Sequence, residues 1–374
     1  MTRVVVTGAK GLIGWHAHAL LHSANCAAGF HGKPLPYAIA ALDHADFDDD
    51  ERLQGALLGA DAVLHFAGVN RAADDDVEAA NPAIAARLIA ACKRIGADPH
   101  IVYANSTHAA SDTPYGRSKK AAGDVLGSGV SRYTNLILPH IFGEAARPHY
   151  NNVTATLVAQ ILADENVTVN PQGRVQLVHA GAAAKIAIDA VHSATIGTIE
   201  PDPRQMSVPD LYAKLRQFHD SYTANIFPDL TDPFDLALFN SYRAASYPDG
   251  WPRPLEQHTD HRGTLFEAVK GGGGGQSFVS TTKPGITRGD HFHLRKVERF
   301  LVLQGEAVIR IRKVLTNEIW EYRVSGDNPA PVDMPTLHTH SIENVGSGDL
   351  TTLFWTHDQF DPQQPDTYAD KVQT

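Results

Sequence analysis

The sequence has little cysteine, no dense run of positive charge and no long hydrophobic segment. Its 374 residues include only two cysteines, Cys26 and Cys92, too few for a disulfide framework. No 18 consecutive residues are apolar, which excludes a transmembrane helix on length. The 32 Lys and Arg against 42 Asp and Glu give a net charge of -10, and no basic stripe follows a nucleic-acid backbone. We therefore expect a soluble cytoplasmic protein that binds neither nucleic acid nor a membrane.

Two kinds of pattern divide the chain. Up to about residue 146, short β-branched runs alternate with Ala- and Leu-rich helical stretches, which predicts an α/β doubly wound parallel sheet. The mostly helical segment 147–246 is expected to be a smaller cap over the substrate. Prolines crowd residues 247–255, and many short strands follow, typical of a β-sandwich or small barrel. The predicted domains are 1–246 and 247–374.

Three glycines follow the first predicted strand and open a predicted helix: Gly8, Gly11 and Gly14. Glycines there allow a tight turn and close approach of the backbone to a pyrophosphate, which the helix N-terminus stabilises. The same pattern also occurs as ordinary turn chemistry, so the motif alone does not define a dinucleotide site.

A second pattern supports an oxidoreductase. Tyr115 and Lys119 form a YxxxK, which on a helix places a phenol and an ammonium one turn apart on one face. The ammonium is expected to lower the pKa of the phenol so that it exchanges a proton near neutrality. Ser106, just past a predicted strand, is placed to bond the same carbonyl oxygen, with Thr107 as the competing hydroxyl.

An acidic stretch follows the second predicted strand. Asp43 stands where a carboxylate accepts the ribose hydroxyls of NAD and repels the extra phosphate of NADP, or it is a surface acid in an acid-rich loop. Asp46 and Asp48 are alternative contacts to the adenine. Lys10 and Arg71 are the cations available to offset the repulsion of a 2′-phosphate.

The C-terminal half contains a metal-binding pattern. His291 and His293 alternate on one strand and therefore share a face, and Glu298 and His340 follow at a distance. Three imidazoles and one carboxylate form a ligand set suited to Zn, Fe, Mn or Ni, with room for a water or substrate oxygen. The alternative is that these residues are ordinary members of a chain with 20 histidines.

The N-terminal motifs resemble the extended short-chain dehydrogenase/reductase superfamily. The resemblance rests on the glycine run, on HFAG at 65–68 with Ala67 and Gly68, on Ser106 and on the Tyr115–Lys119 pair. It implies that Tyr115 is the general acid or base, that Lys119 orients the nicotinamide ribose, and that Ser106 polarises the substrate carbonyl.

The C-terminal motifs resemble the cupin superfamily, and this resemblance implies the same four metal ligands. Leu337 stands where the second cupin motif usually has Gly, so the turn before His340 is open to a different conformation. Arg262 lies in a segment similar to that of sugar-nucleotide cupin epimerases, where such an arginine meets phosphate; a plain surface charge is the alternative.

The order of the two halves, with HFAGVNR at 65–71, PYGRSK at 114–119, KPGITRGDHFH at 283–293 and FDPQQPDTY at 360–368, resembles the CapF family of capsular polysaccharide enzymes end to end. The resemblance implies a bifunctional enzyme of the UDP-N-acetyl-L-fucosamine route. The cupin would epimerise carbon 3 of a UDP-2-acetamido-2,6-dideoxy-4-hexulose, and the reductase would then reduce the 4-ketone. It also implies NADPH, although Asp43 favours NADH. We expect a divalent metal, with Zn2+ first, and a homodimer or higher homo-oligomer.

The residues leave some assignments open. Lys283 and His338 are both candidates for the base at carbon 3, and His338 is equally interpretable as a solvent-facing neighbour of His340. Two other functions remain: a nucleotide-sugar 4-reductase or 4-epimerase with a purely structural cupin, and a non-catalytic nucleotide sensor. The intact Tyr115 and Lys119 argue against the sensor, which has no need of a proton donor.

Overall fold

The computed structural model describes residues 1–71 and 73–373. They fold into two compact units, one formed by Met1–Thr156 with Asn170–Val208 and the other by Leu157–Val169 with Pro209–Thr374. Within the described residues, no helix is both long enough and apolar enough to cross a bilayer.

The first unit is built on a parallel sheet with helices on both faces. Its strands are β1 (Thr2–Thr7), β2 (Tyr37–Leu42), β3 (Ala62–His65), β4 (His100–Ser106), β5 (Tyr133–Leu138), β6 (His140–Phe142), β7 (Arg174–His179), β8 (Gly197–Ile199) and β9 (Arg204–Ser207). Its helices are α1 (Leu12–Phe30), α2 (His44–Asp48), α3 (Asp50–Leu57), α4 (Asp74–Ile95), α5 (Pro114–Gly129) and α7 (Ala180–His192), and α6 spans Val153–Leu162. The elements expected before residue 146 are confirmed.

The strand order of the main sheet is β2-β1-β3-β4-β5-β8, with every pair parallel. Leu57, Leu88 and Leu126 carry α3, α4 and α5 onto one face of the sheet, and Leu21 and Ala187 carry α1 and α7 onto the other. Strand β2 pairs with one edge of β1, and β3 pairs with the other edge. Ligands of open α/β sheets bind at such a switch point, outside the carboxyl ends of the strands.

Part of the segment expected to form only a cap belongs to this fold. Strand β8 pairs with β5 and extends the parallel sheet, and α7 packs in its core. Strands β6, β7 and β9 form a separate three-stranded sheet. The segment 147–246 is mostly helical, as expected, but its short strands were not predicted, because short strands in a polar context carry little periodicity. A capping role for the segment stays a prediction.

The second unit contains two antiparallel sheets, as the sequence predicts. Their orders are β14-β21-β16-β19 and β18-β17-β20-β15-β22. The strands are β10 (Ile226–Phe227), β11 (Gln257–Asp260), β12 (Gly263–Phe266), β13 (Lys270–Gly271), β14 (Gln276–Thr282), β15 (Thr287–Phe292), β16 (Glu298–Gln304), β17 (Glu306–Lys313), β18 (Ile319–Ser325), β19 (Val332–Met334), β20 (His338–Asn344), β21 (Leu350–Thr356) and β22 (Tyr368–Ala369).

This second unit also contains the part of α6 from Leu157 onward, α8 (Val208–Thr223) from Pro209 onward, and α9 (Pro233–Ala244). A buried ion pair helps to hold α8 against the strands, because Arg299 of β16 donates to both Asp333 oxygens at 2.6 and 2.9 Å, and Tyr222 of α8 donates to Asp333 Oδ2 at 2.6 Å. The compact units thus divide near residue 208. The boundary between the two activities near 247 stays a prediction.

Candidate active sites

The glycine loop lies between β1 and α1 and is packed so tightly that side chains do not fit. Gly8 has φ +67°, and a Cβ there would lie 2.7 Å from the Ala67 nitrogen. A Cβ on Gly14 would lie 2.1 Å from the Gly8 oxygen. The turn after β1 therefore rests on the loop after β3, at the switch point of the sheet, and Gly11 opens α1 there. This is the arrangement that a pyrophosphate requires.

Asn81 of α4, which the sequence analysis missed, fixes the loop after β3. Its side chain accepts from the Val69 N–H and donates to the Val69 carbonyl and to Ser118 Oγ, each at 2.9 Å. A Cβ on Gly68 would approach Asn81 Oδ1 to 2.8 Å. The loop with Ala67 and Gly68 is thereby tied to α5, the helix that carries Tyr115 and Lys119.

Asp43 is neither isolated nor an unpaired surface acid. Its Oδ2 lies 2.6 Å from Lys10 Nζ, and its Oδ1 accepts from the Asp46 N–H at the start of α2. These contacts lower the pKa of Asp43 to about 2, with the Lys10 hydrogen bond as the largest cause. The carboxylate that would repel a 2′-phosphate and the cation that would attract it therefore form an ion pair with each other.

The remaining candidates around the cofactor region have partners elsewhere. Asp46 pairs with Arg52, and Asp48 with His44. Arg71 donates to the His149 carbonyl at 2.8 Å. None of these described contacts links them to the glycine loop, so their roles at the cofactor stay predictions.

Ser106, Tyr115 and Lys119 come together at the carboxyl end of β4. Thr113 caps α5 through the Gly116 N–H, which sets Tyr115 in the first turn and Lys119 one turn later. The Ser106 side chain lies close enough to the Tyr115 phenol to lower its pKa, against the effect of burial. Thr107 is exposed in the short 3-10 turn that follows. The geometry therefore favours Ser106 over Thr107.

The electrostatics of this group differ from the expectation. Burial raises the pKa of Tyr115, and only the Ser106 hydrogen bond acts in the opposite direction. The ammonium of Lys119 instead donates to the Ala104 carbonyl at 2.6 Å and lies 4.1 Å from the Tyr103 ring centroid. Burial lowers the pKa of Lys119 to about 7. The proposed lowering of the phenol pKa by Lys119 is thus not seen in the protein alone.

The four expected metal ligands form one cluster inside the second unit. His293 Nε2 and His340 Nε2 lie 3.1 and 3.2 Å from Glu298 Oε2, and one ligand atom from each of the four residues lies within 4.8 Å of the others. His293, Glu298 and His340 are buried, and His291 is half-buried. Burial lowers the pKa of His291 to about 3, whereas the Glu298 carboxylate raises the pKa of His293 despite its burial.

The hydrogen bonds of the imidazoles fit a divalent cation. His293 Nδ1 bonds the Asp366 carbonyl at 2.5 Å, and His340 Nδ1 bonds the His338 carbonyl at 3.1 Å. His340 Nε2 is buried yet has no hydrogen-bond partner of suitable geometry. Outward Nδ1–H donors with inward Nε2 atoms are typical of ligating histidines. The cluster therefore offers the ligand types and donor orientations of a divalent-cation site.

Lys283 and His338, the two candidates for the base at carbon 3, have different surroundings. Lys283 is exposed and pairs with Asp349 at 2.8 Å. His338 is buried and stacks on Trp320, with ring centroids 5.4 Å apart. It lies two residues before His340 in β20 and so shares its face. The solvent-facing interpretation of His338 was therefore wrong, because strand alternation turns it inward with the ligand.

Two further expectations concern turns. Leu337 has φ +60° and is buried, so the turn before His340 keeps the left-handed conformation that Gly would favour. Arg262 is exposed and pairs with Asp260 in the β11–β12 hairpin. Contact of Arg262 with a phosphate stays a prediction.

Sequence reasoning also missed two groups. Lys313 of β17 faces His338 across the strand pair, and burial lowers its pKa. His16, Glu144 and His179 meet in the first unit, with His179 Nε2 2.8 Å from Glu144 Oε2. Both are formed by residues far apart in the sequence, and no spacing rule indicates them.

Comparison with known proteins agrees with both halves. Residues 4–195, more than half of the 374, match the NAD dependent epimerase/dehydratase family, and residues 258–368 match the polysaccharide biosynthesis C-terminal domain. A curated relative from Pseudomonas aeruginosa, UDP-2-acetamido-2,6-beta-L-arabino-hexul-4-ose reductase, is 29% identical over 380 residues, or 99% of each chain. The N-terminal half thus has the fold and motifs of the NAD-dependent epimerase and dehydratase class.

Solved structures narrow the class. The crystal structure of the capsular polysaccharide assembling protein CapF from Staphylococcus aureus is 30% identical, with a TM-score of 0.58, and the alignment covers 99% of this chain and 100% of that one. The chain belongs to the CapF family. A dTDP-4-dehydrorhamnose reductase from Bacillus anthracis in complex with NADP, at 17% identity and a TM-score of 0.50 over 59% of this chain and 82% of that one, shows the shared fold of the first half.

Proposed function

We propose that this protein is a bifunctional nucleotide-sugar enzyme of capsular or surface polysaccharide biosynthesis. Its β-rich half epimerises carbon 3 of a UDP-2-acetamido-2,6-dideoxy-4-hexulose. Its α/β half then reduces the 4-keto group to a UDP-N-acetyl-6-deoxy-L-talosamine-type product on the route to UDP-N-acetyl-L-fucosamine. The name of the P. aeruginosa relative, which aligns over 99% of both chains, supports this substrate class.

One observation carries the proposal: a single chain holds both a hydroxyl–phenol–ammonium group and a buried cluster of three histidines and a glutamate. A reductase alone needs only the first group. A cluster of four metal-ligating side chains, three of them buried, supports a second chemical step.

The epimerisation is assigned to His291, His293, Glu298 and His340, which would hold a divalent cation, Zn2+ first. When bound, such a cation polarises the 4-keto oxygen, which makes the neighbouring C–H more acidic. A base must then remove the carbon 3 proton from one face, and a second proton donor must protonate carbon 3 from the opposite face. Buried His338, on the face of His340, fits this role better than exposed Lys283, which is paired with Asp349.

The reduction is assigned to Ser106, Tyr115 and Lys119. The nicotinamide supplies a hydride to carbon 4, and the Tyr115 phenol donates a proton to the oxygen of the same carbonyl. Ser106, at the end of β4, would orient that oxygen. Lys119 would bind the nicotinamide ribose, and its ammonium lies over the Tyr103 ring.

NADPH is the proposed cofactor, with NADH as the alternative. Gly8, Gly11, Gly14, Ala67 and Gly68 line the turn where the pyrophosphate would bind. The proximity of Lys10 to Asp43 supports NADPH, because the cation offsets the charge that would repel a 2′-phosphate. Cytoplasmic location and a homo-oligomeric assembly stay predictions.

The decisive experiment follows both steps with the full chain. Incubation of the keto-sugar in deuterated water without NADPH should introduce deuterium at carbon 3, and addition of NADPH should then oxidise the cofactor stoichiometrically. Reduction without deuterium wash-in would indicate a 4-reductase with a structural cupin. If the protein shows neither deuterium exchange nor NADPH oxidation, it only binds a nucleotide and is not this enzyme.

A further inference from the structure

A segment near the C-terminus, FDPQQPDTY at 360–368, has a conspicuous sequence but no role in the chemistry above. In the structure it runs beside the candidate metal cluster. We propose that Asp366 is a positioning residue of this centre, and that residues 357–372, here called the C-terminal clamp, hold the ligands in place. The inference rests on the proposed metal centre and adds to it a group that contacts no metal.

The Asp366 carboxylate binds the backbone between two ligands. Its Oδ1 accepts from the Leu294 N–H at 3.0 Å, and its Oδ2 accepts from the Arg295 and Lys296 N–H groups at 3.0 and 2.9 Å. The next N–H, that of Val297, donates to His357 Nδ1 at 3.1 Å. Every amide of the loop joining His293 to Glu298 is thus bound by the clamp.

The backbone of Asp366 acts on a ligand directly. Its carbonyl accepts from His293 Nδ1, which leaves Nε2 directed at Glu298 Oε2, 3.1 Å away. One residue therefore fixes both the orientation of an imidazole and the path of the loop to the carboxylate. Partners of this kind raise the affinity of a site, and their loss typically costs about 10- to 100-fold in metal binding.

The conformation of Asp366 indicates that the clamp is held by its contacts. The residue is buried and has φ +43°, a left-handed conformation that a residue with a side chain adopts at some cost. Three amide hydrogen bonds to a carboxylate, each charge-assisted, offset this cost. A surface turn with no task would have no such set of donors.

The clamp also contacts the strands of the other two ligands. Strand β22 pairs with β15 so that Ala369 lies opposite His291 and Tyr368 opposite Phe292. Asp370 accepts from Thr339 Oγ1, next to His340, at 2.6 Å. All four ligands are thus next to, or bonded to, a residue that the clamp holds.

The test measures Zn2+ affinity by competition with a chelator, in the full chain, for Asp366→Asn and Asp366→Ala. We expect both to weaken Zn2+ binding by about tenfold or more. The matched control is Asp361→Ala in the same segment, since Asp361 is exposed and its carboxylate accepts from the Gln363 N–H of its own turn. This control should bind Zn2+ within about twofold of the wild type.

Two further measurements separate positioning from folding. The melting temperature of the metal-free variants reports the structural cost, and the visible spectrum of Co2+-loaded protein reports ligand geometry. If Asp366→Ala does not fold, Asp366→Asn and its Co2+ spectrum decide the question. A lower melting temperature with unchanged Zn2+ affinity and an unchanged Co2+ spectrum would overturn the positioning role.

A wrong assignment of the metal centre itself would give a different experimental result. His340→Ala should lose Zn2+ whether or not Asp366 matters. If His340→Ala keeps wild-type affinity, the centre is misassigned and the inference falls with it. If His340→Ala loses the metal while both Asp366 variants bind it as the wild type does, the centre stands and only the role of Asp366 is wrong.

Discussion

Lys119 of α5 donates to the Ala104 carbonyl of β4 at 2.6 Å, which ties the helix that carries Tyr115 to the strand that ends at Ser106. The phenol and the Ser106 hydroxyl therefore lie at the same end of β4, where a carbonyl oxygen of a substrate can approach both. Burial keeps the phenol protonated in the protein alone, as a proton donor must be.

Tyr115→Phe should therefore lower the rate of NADPH oxidation by at least about 100-fold, because the proton for the 4-oxygen is lost. Deuterium exchange at carbon 3 should continue at the wild-type rate. Tyr212→Phe, in α8, is the control and should change neither rate. Loss of exchange in Tyr115→Phe would show that the two steps do not use separate sites.

The sequence was sufficient where chemistry follows spacing along the chain. The turn of Gly8, Gly11 and Gly14 and the pair Tyr115–Lys119 depend on local backbone geometry, and the structure has them as expected. The four ligands were predicted because strand alternation puts His291 and His293 on one face. Their meeting with Glu298 and His340 is confirmed as a geometric fact.

The sequence could not predict contacts between residues that are far apart along the chain. Asn81 bonding Ser118, and Asp366 bonding the loop after His293, join segments whose proximity depends on the fold. The predicted direction of the shift in the Tyr115 pKa was wrong for a related reason. Burial raises the pKa of the phenol, and burial is not visible in a YxxxK pattern.

Removing a metal ligand should have the opposite effect to Tyr115→Phe: carbon 3 exchange should be lost and reduction should be kept. His340→Ala should weaken Zn2+ binding by more than about 100-fold and stop deuterium exchange at carbon 3. NADPH oxidation should persist with a substrate that already has the right configuration at carbon 3. The control is His258→Ala, an exposed histidine of the β11–β12 hairpin. Stoichiometric metal and full exchange in His340→Ala would contradict the ligand assignment.

Gly14→Ala should damage the cofactor turn, because the new Cβ would lie 2.1 Å from the Gly8 oxygen. We expect a loss of stability of about 1 to 3 kcal/mol and weaker binding of NADPH. Gly55→Ala in α3 is the matched control. A Cβ there meets nothing within 4 Å, so it should stabilise the fold by up to about 1 kcal/mol. Thermal unfolding and fluorescence titration with NADPH measure both effects.

The buried ammonium of Lys119 should affect how stability depends on pH. Its pKa is lowered from 10.5 to about 7 in the folded protein, with burial as the cause. Below pH 7 both states are protonated, and the folded state bears the full cost of the buried charge. Between pH 7 and 10.5 the unfolded state binds more protons, so the free energy of unfolding rises with pH.

Lys119→Met removes this titration. The stability of the wild type relative to Lys119→Met should therefore increase from pH 7 to 10.5, as measured by urea unfolding at several pH values. Lys120→Met, the exposed neighbour paired with Asp124, should show no such trend. A difference between wild type and Lys119→Met that is constant over this range would mean that the ammonium is solvated in the folded state.

The choice of cofactor depends on the pair Lys10–Asp43. Lys10 is 82% exposed and lies 2.6 Å from Asp43, so the cation is available to a 2′-phosphate beside the carboxylate that would repel it. Lys10→Ala should lower the ratio of kcat/KM for NADPH over NADH, and Asp43→Asn should raise it. Lys33→Ala, an exposed lysine before β2, is the control. If the wild type prefers NADH by tenfold or more, about 1.4 kcal/mol, then NADPH is the wrong assignment and Asp43 selects the cofactor through its own charge.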